Sequence, residues 1–238
     1  MLQQTQVTRV LERFDLFVKK FPDFKSLAQA DKNEVLIEWQ GMGYNRRALY
    51  LWRIAQIVMD ERGGVLPQTV EELDDLPGIG YNTACSIAAF AYNLPTVFIE
   101  TNIRTVFLHE FFPNEENIDD KVILELVQKT LDTKNPRDWY YALMDYGTML
   151  KKKMVNPSRR SKHYKKQSKF AGSDRQVRGE ALRFILKNKK TSKEKITQHL
   201  VAKLSIKKDR ARKIIMQLQK EGFPLGGSRD GELGEVYR

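Results

Sequence analysis

Leu76-Pro77-Gly78-Ile79-Gly80-Tyr81-Asn82-Thr83 is the stretch on which the fold turns. It follows the acids Glu71, Glu72, Asp74 and Asp75 and opens an apolar run from Thr83 to Ala91. Thr69, two residues ahead of those acids, has the side chain of a helix N-cap, and acids in a first helical turn suit the positive end of the peptide dipoles. Proline and two glycines then make a tight hairpin between two helices, because glycine alone adopts the required backbone angles without strain. The acids are therefore read as helix-end charges rather than as a catalytic pair. With no side chains in the way, the hairpin amides and the N-terminus of the next helix can face a phosphate.

Outward from the hairpin, the pattern stays helical. Apolar residues recur at three and four between Val7 and Asp60: Val10, Phe14, Phe17 and Val18, then Val35, Leu36 and Trp39, then Leu49, Trp52, Ile54, Ala55 and Val58. This is the period of helices that bury one face. Breaks at Phe21-Pro22, Gly41-Met42-Gly43 and Gly63-Gly64 read as turns rather than strands. Residues 151–170 hold nine Lys/Arg and no acid, with Pro157 among them, and are expected to be linker. Helical periodicity resumes after Asp174, and the chain ends in a glycine-rich segment with a short Gly234-Glu235-Val236-Tyr237. Three helices and a terminal hairpin describe a winged helix-turn-helix. Its recognition helix would run from Lys207 to Glu221, with Lys207, Lys208, Arg210, Arg212 and Lys213 near its start, where major-groove readers place their contacts. A winged helix that binds protein remains the other reading.

Charge divides the chain. Residues 1–150 carry 15 Lys/Arg and 22 Asp/Glu, residues 151–238 carry 26 and 8, and the whole is +11. A segment this basic gains affinity for a polyphosphate by counterion release, with steep salt dependence; a solvated basic tail is the alternative. The apolar stretches Cys85 to Ala91 and Leu143 to Leu150 fall short of the roughly 20 residues that span a bilayer, and no basic-then-apolar leader opens the chain. A cytoplasmic, nucleoid-associated protein without membrane contact is expected. The single cysteine, Cys85, excludes an internal disulfide and a four-cysteine metal site, and its apolar neighbours mark it as core. His109, His163 and His199 are too scattered to suggest a metal cluster.

About twenty residues beyond the hairpin, Val97-Phe98-Ile99-Glu100-Thr101-Asn102-Ile103-Arg104 sets one carboxylate in an apolar segment. Hairpin and downstream acid together resemble the helix-hairpin-helix DNA glycosylases related to endonuclease III, and most of all the MutY-type adenine glycosylases. Met1-Leu2-Gln3-Gln4-Thr5-Gln6-Val7 is similar to their signature near the catalytic pocket. Gly41-Met42-Gly43-Tyr44-Asn45-Arg46-Arg47-Ala48 is similar to a DNA-contacting loop, and Met144-Asp145-Tyr146-Gly147 to a late helix. The resemblance covers about residues 1–152. It implies an all-α, two-lobed helix-hairpin-helix glycosylase fold over 1–152, expected to be N-terminally incomplete, and the charge and periodicity above then give a basic linker over 153–173 and a winged-helix-like domain over 174–238.

The resemblance also implies chemistry. Relatives carry aspartate at the Glu100 position, where the carboxylate stabilises the oxocarbenium-like sugar as the glycosidic bond breaks. Glu100 keeps the charge and adds a methylene; a simple helix-start acid is its other reading. Lyase-active relatives carry at the Asn82 position a lysine that forms a Schiff base, and an amide cannot act as that nucleophile, so a monofunctional enzyme is expected. DNA contacts are expected from Gln3, Gln4, Tyr44, Asn45 and Arg46, from Leu76, Gly78, Gly80, Tyr81 and Thr83 of the hairpin, and from Lys207, Lys208 and Arg212. Lys151-Lys152-Lys153-Met154 replaces the start of the four-cysteine iron–sulfur loop, so no cluster is expected, while the hairpin leaves room for a monovalent cation. The glutamate that protonates the departing adenine in relatives lies just ahead of the Leu-Gln-Gln segment, before Met1, so activity of this chain on adenine is expected to be weak or nil. The expected partner is double-stranded DNA with a mismatch or lesion, bound by a monomer. Adenine opposite guanine or 8-oxoguanine leads as substrate. A thymine or uracil mismatch glycosylase, a catalytically silent lesion-sensing protein and a winged-helix transcription regulator are the alternatives.

Overall fold

The computed structural model describes residues 1–188 and 191–224. Over these the chain forms twelve α-helices: α1 (Val7–Lys20), α2 (Phe24–Gln29), α3 (Lys32–Glu38), α4 (Arg46–Glu61), α5 (Val70–Asp74), α6 (Tyr81–Tyr92), α7 (Thr101–Glu110), α8 (Asp120–Thr130), α9 (Pro136–Lys153), α10 (Asp174–Lys187), α11 (Lys193–Leu204) and α12 (Lys208–Lys220). A 3-10 turn spans Pro157–Arg160. The described residues contain no strand, only an isolated bridge between Ile118 and Ser161, and the fold is all-α as expected. The terminal hairpin expected around Gly234 lies outside the described residues. No helix among them is long and apolar enough to cross a membrane.

Packing divides the chain into two units, Met1–Leu66 with Ser168–Arg238, and Pro67–Gln167. This is not the division at 153–173 drawn from charge. In the first unit α10, α11 and α12 share one core with the N-terminal helices: Val10, Phe17, Leu36, Trp39 and Leu49 belong to the same apolar cluster as Val177, Leu182, Ile196, Leu200, Ile214, Leu218 and Phe223. Charge reports the surface, whereas this junction is apolar. Side-chain caps start the helices here, with Asp23 accepting from the Ser26 amide, Asp31 from Asn33, Ser173 from Gln176 and Ser192 from Lys195. The periodicity overreaches in α1, which buries Val10 and Phe17 but leaves Phe14 and Val18 exposed.

Polar contacts reinforce the same junction. Glu221, the C-cap of α12, pairs with Arg178 of α10 and, at 2.6 Å, with Arg46 of α4, while Lys32 Nζ donates to the Gly222 carbonyl at 3.4 Å. Burial alone would raise the Glu221 carboxyl, but Arg178 and Arg46 outweigh it and hold the group below its ordinary value. A depressed carboxylate contributes stability above its unfolded pKa and loses it as pH falls through the lowered folded value.

In the second unit, α7 is central and α9 lies across it. A Cβ on Gly147 of α9 would come within 2.5 Å of the Asn102 carbonyl and 2.8 Å of Asn102 Cβ, so only glycine permits this approach. Phe98 stacks on buried Tyr140 at 4.3 Å, and the Tyr140 hydroxyl donates to the Thr96 carbonyl at 2.7 Å. The first part of the expected linker is built into this unit. Ser158 is buried and its Oγ lies 2.7 Å from Thr105 Oγ1 of α7, while Arg160 donates to the carbonyls of Leu108 and Pro113. Ile118 and Ser161 form the bridge beside it.

Two outcomes test this packing. Gly147→Ala is expected to destabilise the protein by about 1–3 kcal/mol, the usual cost of overpacking, measured by denaturant unfolding; an unchanged midpoint would mean that the close approach is not constrained. Glu221→Gln is expected to flatten the fall in thermal stability between about pH 5 and about pH 3. A variant that tracks the parent across that window would exclude the Glu221 pairs as its source.

Candidate functional site

In the second unit the hairpin forms as its residues dictate. Thr69 caps α5, accepting from the Glu72 amide and donating to the Glu72 carboxylate. Leu73 and Leu76 are buried and anchor the turn from below. Gly78 sits at φ +72°, a left-handed conformation natural to glycine. Gly80 is the extended N-cap of α6 and offers no side chain, so nothing caps that helix from its own side. A Cβ at Gly80 would meet no atom within 4 Å, so the space before the helix is open. Unbonded first-turn N–H groups and the helix dipole make such an end receptive to an anion. Tyr81 and Asn82 are exposed on the first turn, and Thr83 is half-buried behind them with its amide bonded back to the Gly80 carbonyl at 2.7 Å. Cys85, one turn further on, is buried, and burial raises its thiol, which is the behaviour of a core residue rather than a nucleophile.

Glu100 is the N-cap of α7. Its Oε1 accepts from the amides of Asn102 at 2.5 Å and Ile103 at 3.1 Å, while Oε2 takes no hydrogen bond from any described residue. One oxygen thus fixes the carboxylate on the backbone, and the second is left to act on something else. The position observed is that of a helix-start acid, one of the two readings made from sequence. The site is set by α9: Gly147 touches Asn102, and Thr148 Oγ1 donates to Asn102 Oδ1 at 3.4 Å. One turn beyond Gly147, burial pushes the Lys151 amine down, and the Glu100 carboxylate partly offsets that shift. Lys151 was visible in the sequence only as one cation of a basic run; its place four residues after Gly147 was the available signal.

The first unit holds the other expected contacts. Gln3 and Gln4 lie in a turn before α1, with Gln4 at φ +56°, and Tyr44 and Asn45 lie in the loop before α4, with Tyr44 at φ +47°. Gln3, Gln4 and Tyr44 are exposed and Asn45 is half-buried. The two loops are brought together by Arg47, which the sequence reading quoted in a motif but did not select. Its guanidinium donates to the carbonyls of Met1 at 3.0 Å and Gln3 at 2.5 Å and to Thr5 Oγ1 at 2.7 Å, and it reaches the Met42 and Gly43 carbonyls at 3.5 Å. Arg46, expected on DNA, is engaged with Glu221. On α12, Lys207 is the exposed N-cap, while Lys208 and Arg212 share Glu194 at 3.0 and 3.5 Å. These ion pairs are on the surface and weak, so the two cations stay available to a phosphate. Arg210 is bound more firmly, to Asp174 and to the Gly172 carbonyl.

An iron–sulfur cluster does not fit the residues present. The one cysteine is buried in α6, and in the segment after α9 Ser158, Arg160 and Ser161 are already bonded to α7 and its neighbours. The described residues hold no group of three or more His, Cys, Asp or Glu side chains able to bind a metal ion.

Comparison with known proteins gives the family. Residues 1–205 match the model of the HhH-GPD superfamily base excision DNA repair proteins. Adenine DNA glycosylase of Buchnera aphidicola (subspecies Baizongia pistaciae) is 33% identical over 154 residues, 63% of this chain and 43% of that protein. The enzyme of the same name from Mycolicibacterium smegmatis is 32% identical over 199 residues, 76% of this chain and 68% of that protein. The human one is 33% identical over 151 residues, 62% of this chain and 28% of that protein. The chain thus spans less than half the length of the Buchnera and human relatives. Among solved structures, a thermostable thymine-DNA glycosylase superposes with a TM-score of 0.55 at 22% identity, covering 66% of this chain and 73% of that one. A trapped endonuclease III–DNA covalent intermediate gives 0.53 at 17%, covering 71% and 74%. Hairpin, capped acid and close helix crossing stand on a chain that belongs to the HhH-GPD superfamily of base excision DNA repair proteins.

Proposed function

We propose that this protein is a monofunctional DNA glycosylase that removes adenine mispaired with guanine or 8-oxoguanine by hydrolysing the N-glycosidic bond. The observation that carries the reading is the Glu100 carboxylate, oriented by two backbone amides through Oε1 with Oε2 uncommitted among the described residues. As the bond breaks, its electron pair leaves with the base and positive charge develops on the sugar. A fixed carboxylate stabilises that charge without reorganising, and water then adds to the anomeric carbon, losing one proton to balance the one that the departing base takes up. The relatives named adenine DNA glycosylase support the choice of base.

DNA is the proposed partner. The open hairpin at Gly78 and Gly80 would take a backbone phosphate through its amides, with Leu76 anchoring it, Tyr81 and Thr83 beside it and room for a monovalent cation. Lys207, Lys208 and Arg212 would add phosphate contacts that weaken with salt. Gln3, Gln4, Tyr44 and Asn45 would occupy the gap left when the base is extruded. Asn82, exposed at the start of α6, offers an amide to the extruded nucleotide and no amine for a Schiff base.

Glu100→Gln tests the assignment cleanly, because the amide oxygen can still cap α7 while the charge is lost. Single-turnover release of adenine opposite 8-oxoguanine is expected to fall by at least about 100-fold, with DNA affinity unchanged. Release that survives the substitution would remove Glu100 from the mechanism. A protein that binds the duplex but releases no base even with the general-acid glutamate of its relatives added ahead of Met1 would be a lesion-sensing protein instead.

A further inference from the structure

We propose that Arg47 is a positioning residue that presets two loop tips, Gln3-Gln4 and Tyr44, as one rigid wedge for the space vacated by an extruded base. The proposal rests on the base-extrusion reading above and assigns the residue that makes the wedge stiff.

Four backbone carbonyls from two loops about forty residues apart, those of Met1, Gln3, Met42 and Gly43, turn toward this single guanidinium. Thr5 closes the arrangement, accepting from Arg47 Nη2 at 2.7 Å and donating to the Met42 carbonyl at 3.0 Å. The cation also lies 5.3 Å from the centre of the Trp39 ring and 5.7 Å from that of Tyr44. Trp39 is fully buried and donates to the Gly43 carbonyl at 3.1 Å, which ties the arrangement to the core. Burial pushes the guanidinium down from its ordinary value, and a planar fork is the one side chain that satisfies so many oxygens at once.

The residues held this way are strained and exposed. Gln4 and Tyr44 both adopt left-handed backbone angles that side chains other than glycine rarely take. Strain of this kind persists only where surrounding contacts over-determine it, and here those contacts converge on Arg47. The backbone of each loop is anchored below while the side chains at the tips face solvent. A wedge must replace the stacking of a lost base without first paying to order itself, so stiffness at the tips favours extrusion. Facing carbonyls rather than solvent, Arg47 is not placed as a phosphate contact.

The experiment compares the parent with Arg47→Lys, Arg47→Met and Thr5→Val in single-turnover release of adenine. One substrate pairs adenine with 8-oxoguanine, and the other sets adenine opposite an abasic gap, where no opposing base has to be supported when the adenine leaves the helix. Both Arg47 variants are expected to lose about tenfold or more on the paired duplex and to match the parent on the gapped one. Thr5→Val, which leaves the guanidinium in place, is expected to lose less in the same direction. Equal losses on both substrates, or none on the paired one, would overturn the proposal. 2-Aminopurine beside the target reports the wedge even if no base is released, in which case the glycosylase reading fails independently. Brightening with the parent and not with the Arg47 variants supports the wedge; equal brightening, or none with the parent, overturns it.

Discussion

The contact of Gly147 with Asn102 is the constraint on which the second unit depends. With no Cβ on α9 at that point, the helix can rest on the first turn of α7, where the Asn102 and Ile103 amides hold the Glu100 carboxylate. The segment after α9 then returns to α7 through Ser158 and Arg160. Removing the glycine would push apart the helices that fix the acid, so packing and chemistry share one atom-scale requirement. Preorganisation of this kind is what makes a single charge effective against a developing cation.

The first unit solves a different problem with arginine. A chain of net charge +11 would be expected to spend its cations on a polyanionic partner, yet several are used internally. Arg46 and Arg178 share Glu221 across the junction of the N-terminal and C-terminal helices, and Arg47 gathers loop carbonyls. The guanidinium suits both tasks because its fork is planar and always charged. The exposed start of α12 keeps cations available to a phosphate, with Lys207 at the N-cap position and Lys208 and Arg212 paired only weakly.

Much of this was legible from residue order, because local rules decided it. Thr69 before two acids, Gly78 and Gly80 around a proline turn, and helical periodicity from Val7 onward all report on the nearest few residues, and the helices and hairpin follow. What depended on contacts between distant segments was not legible. The basic composition of 151–170 suggested free linker, but Ser158 is buried on α7 by a hydroxyl pair that no periodicity reveals. The charge step near residue 150 suggested a separate C-terminal domain, but the faces of α10 to α12 that carry Val177, Leu200 and Ile214 complete the core begun by α1 to α4. Arg47 looked like one more cation of a DNA-contacting loop until its partners, Met1 to Thr5, stood beside it. Glu100 stood out in the sequence as an isolated acid, while the placing of one of its oxygens on the Asn102 and Ile103 amides required the geometry.

Affinity for a duplex in which the target sugar is replaced by a positively charged pyrrolidine ring, against the same duplex with a neutral tetrahydrofuran ring, tests the central claim most directly, since neither requires a base to leave. If the free oxygen of Glu100 stabilises a sugar cation, the protein binds the charged ring at least about tenfold more tightly, and Glu100→Gln erases the preference. Equal affinity for the two rings in the parent protein would contradict the account.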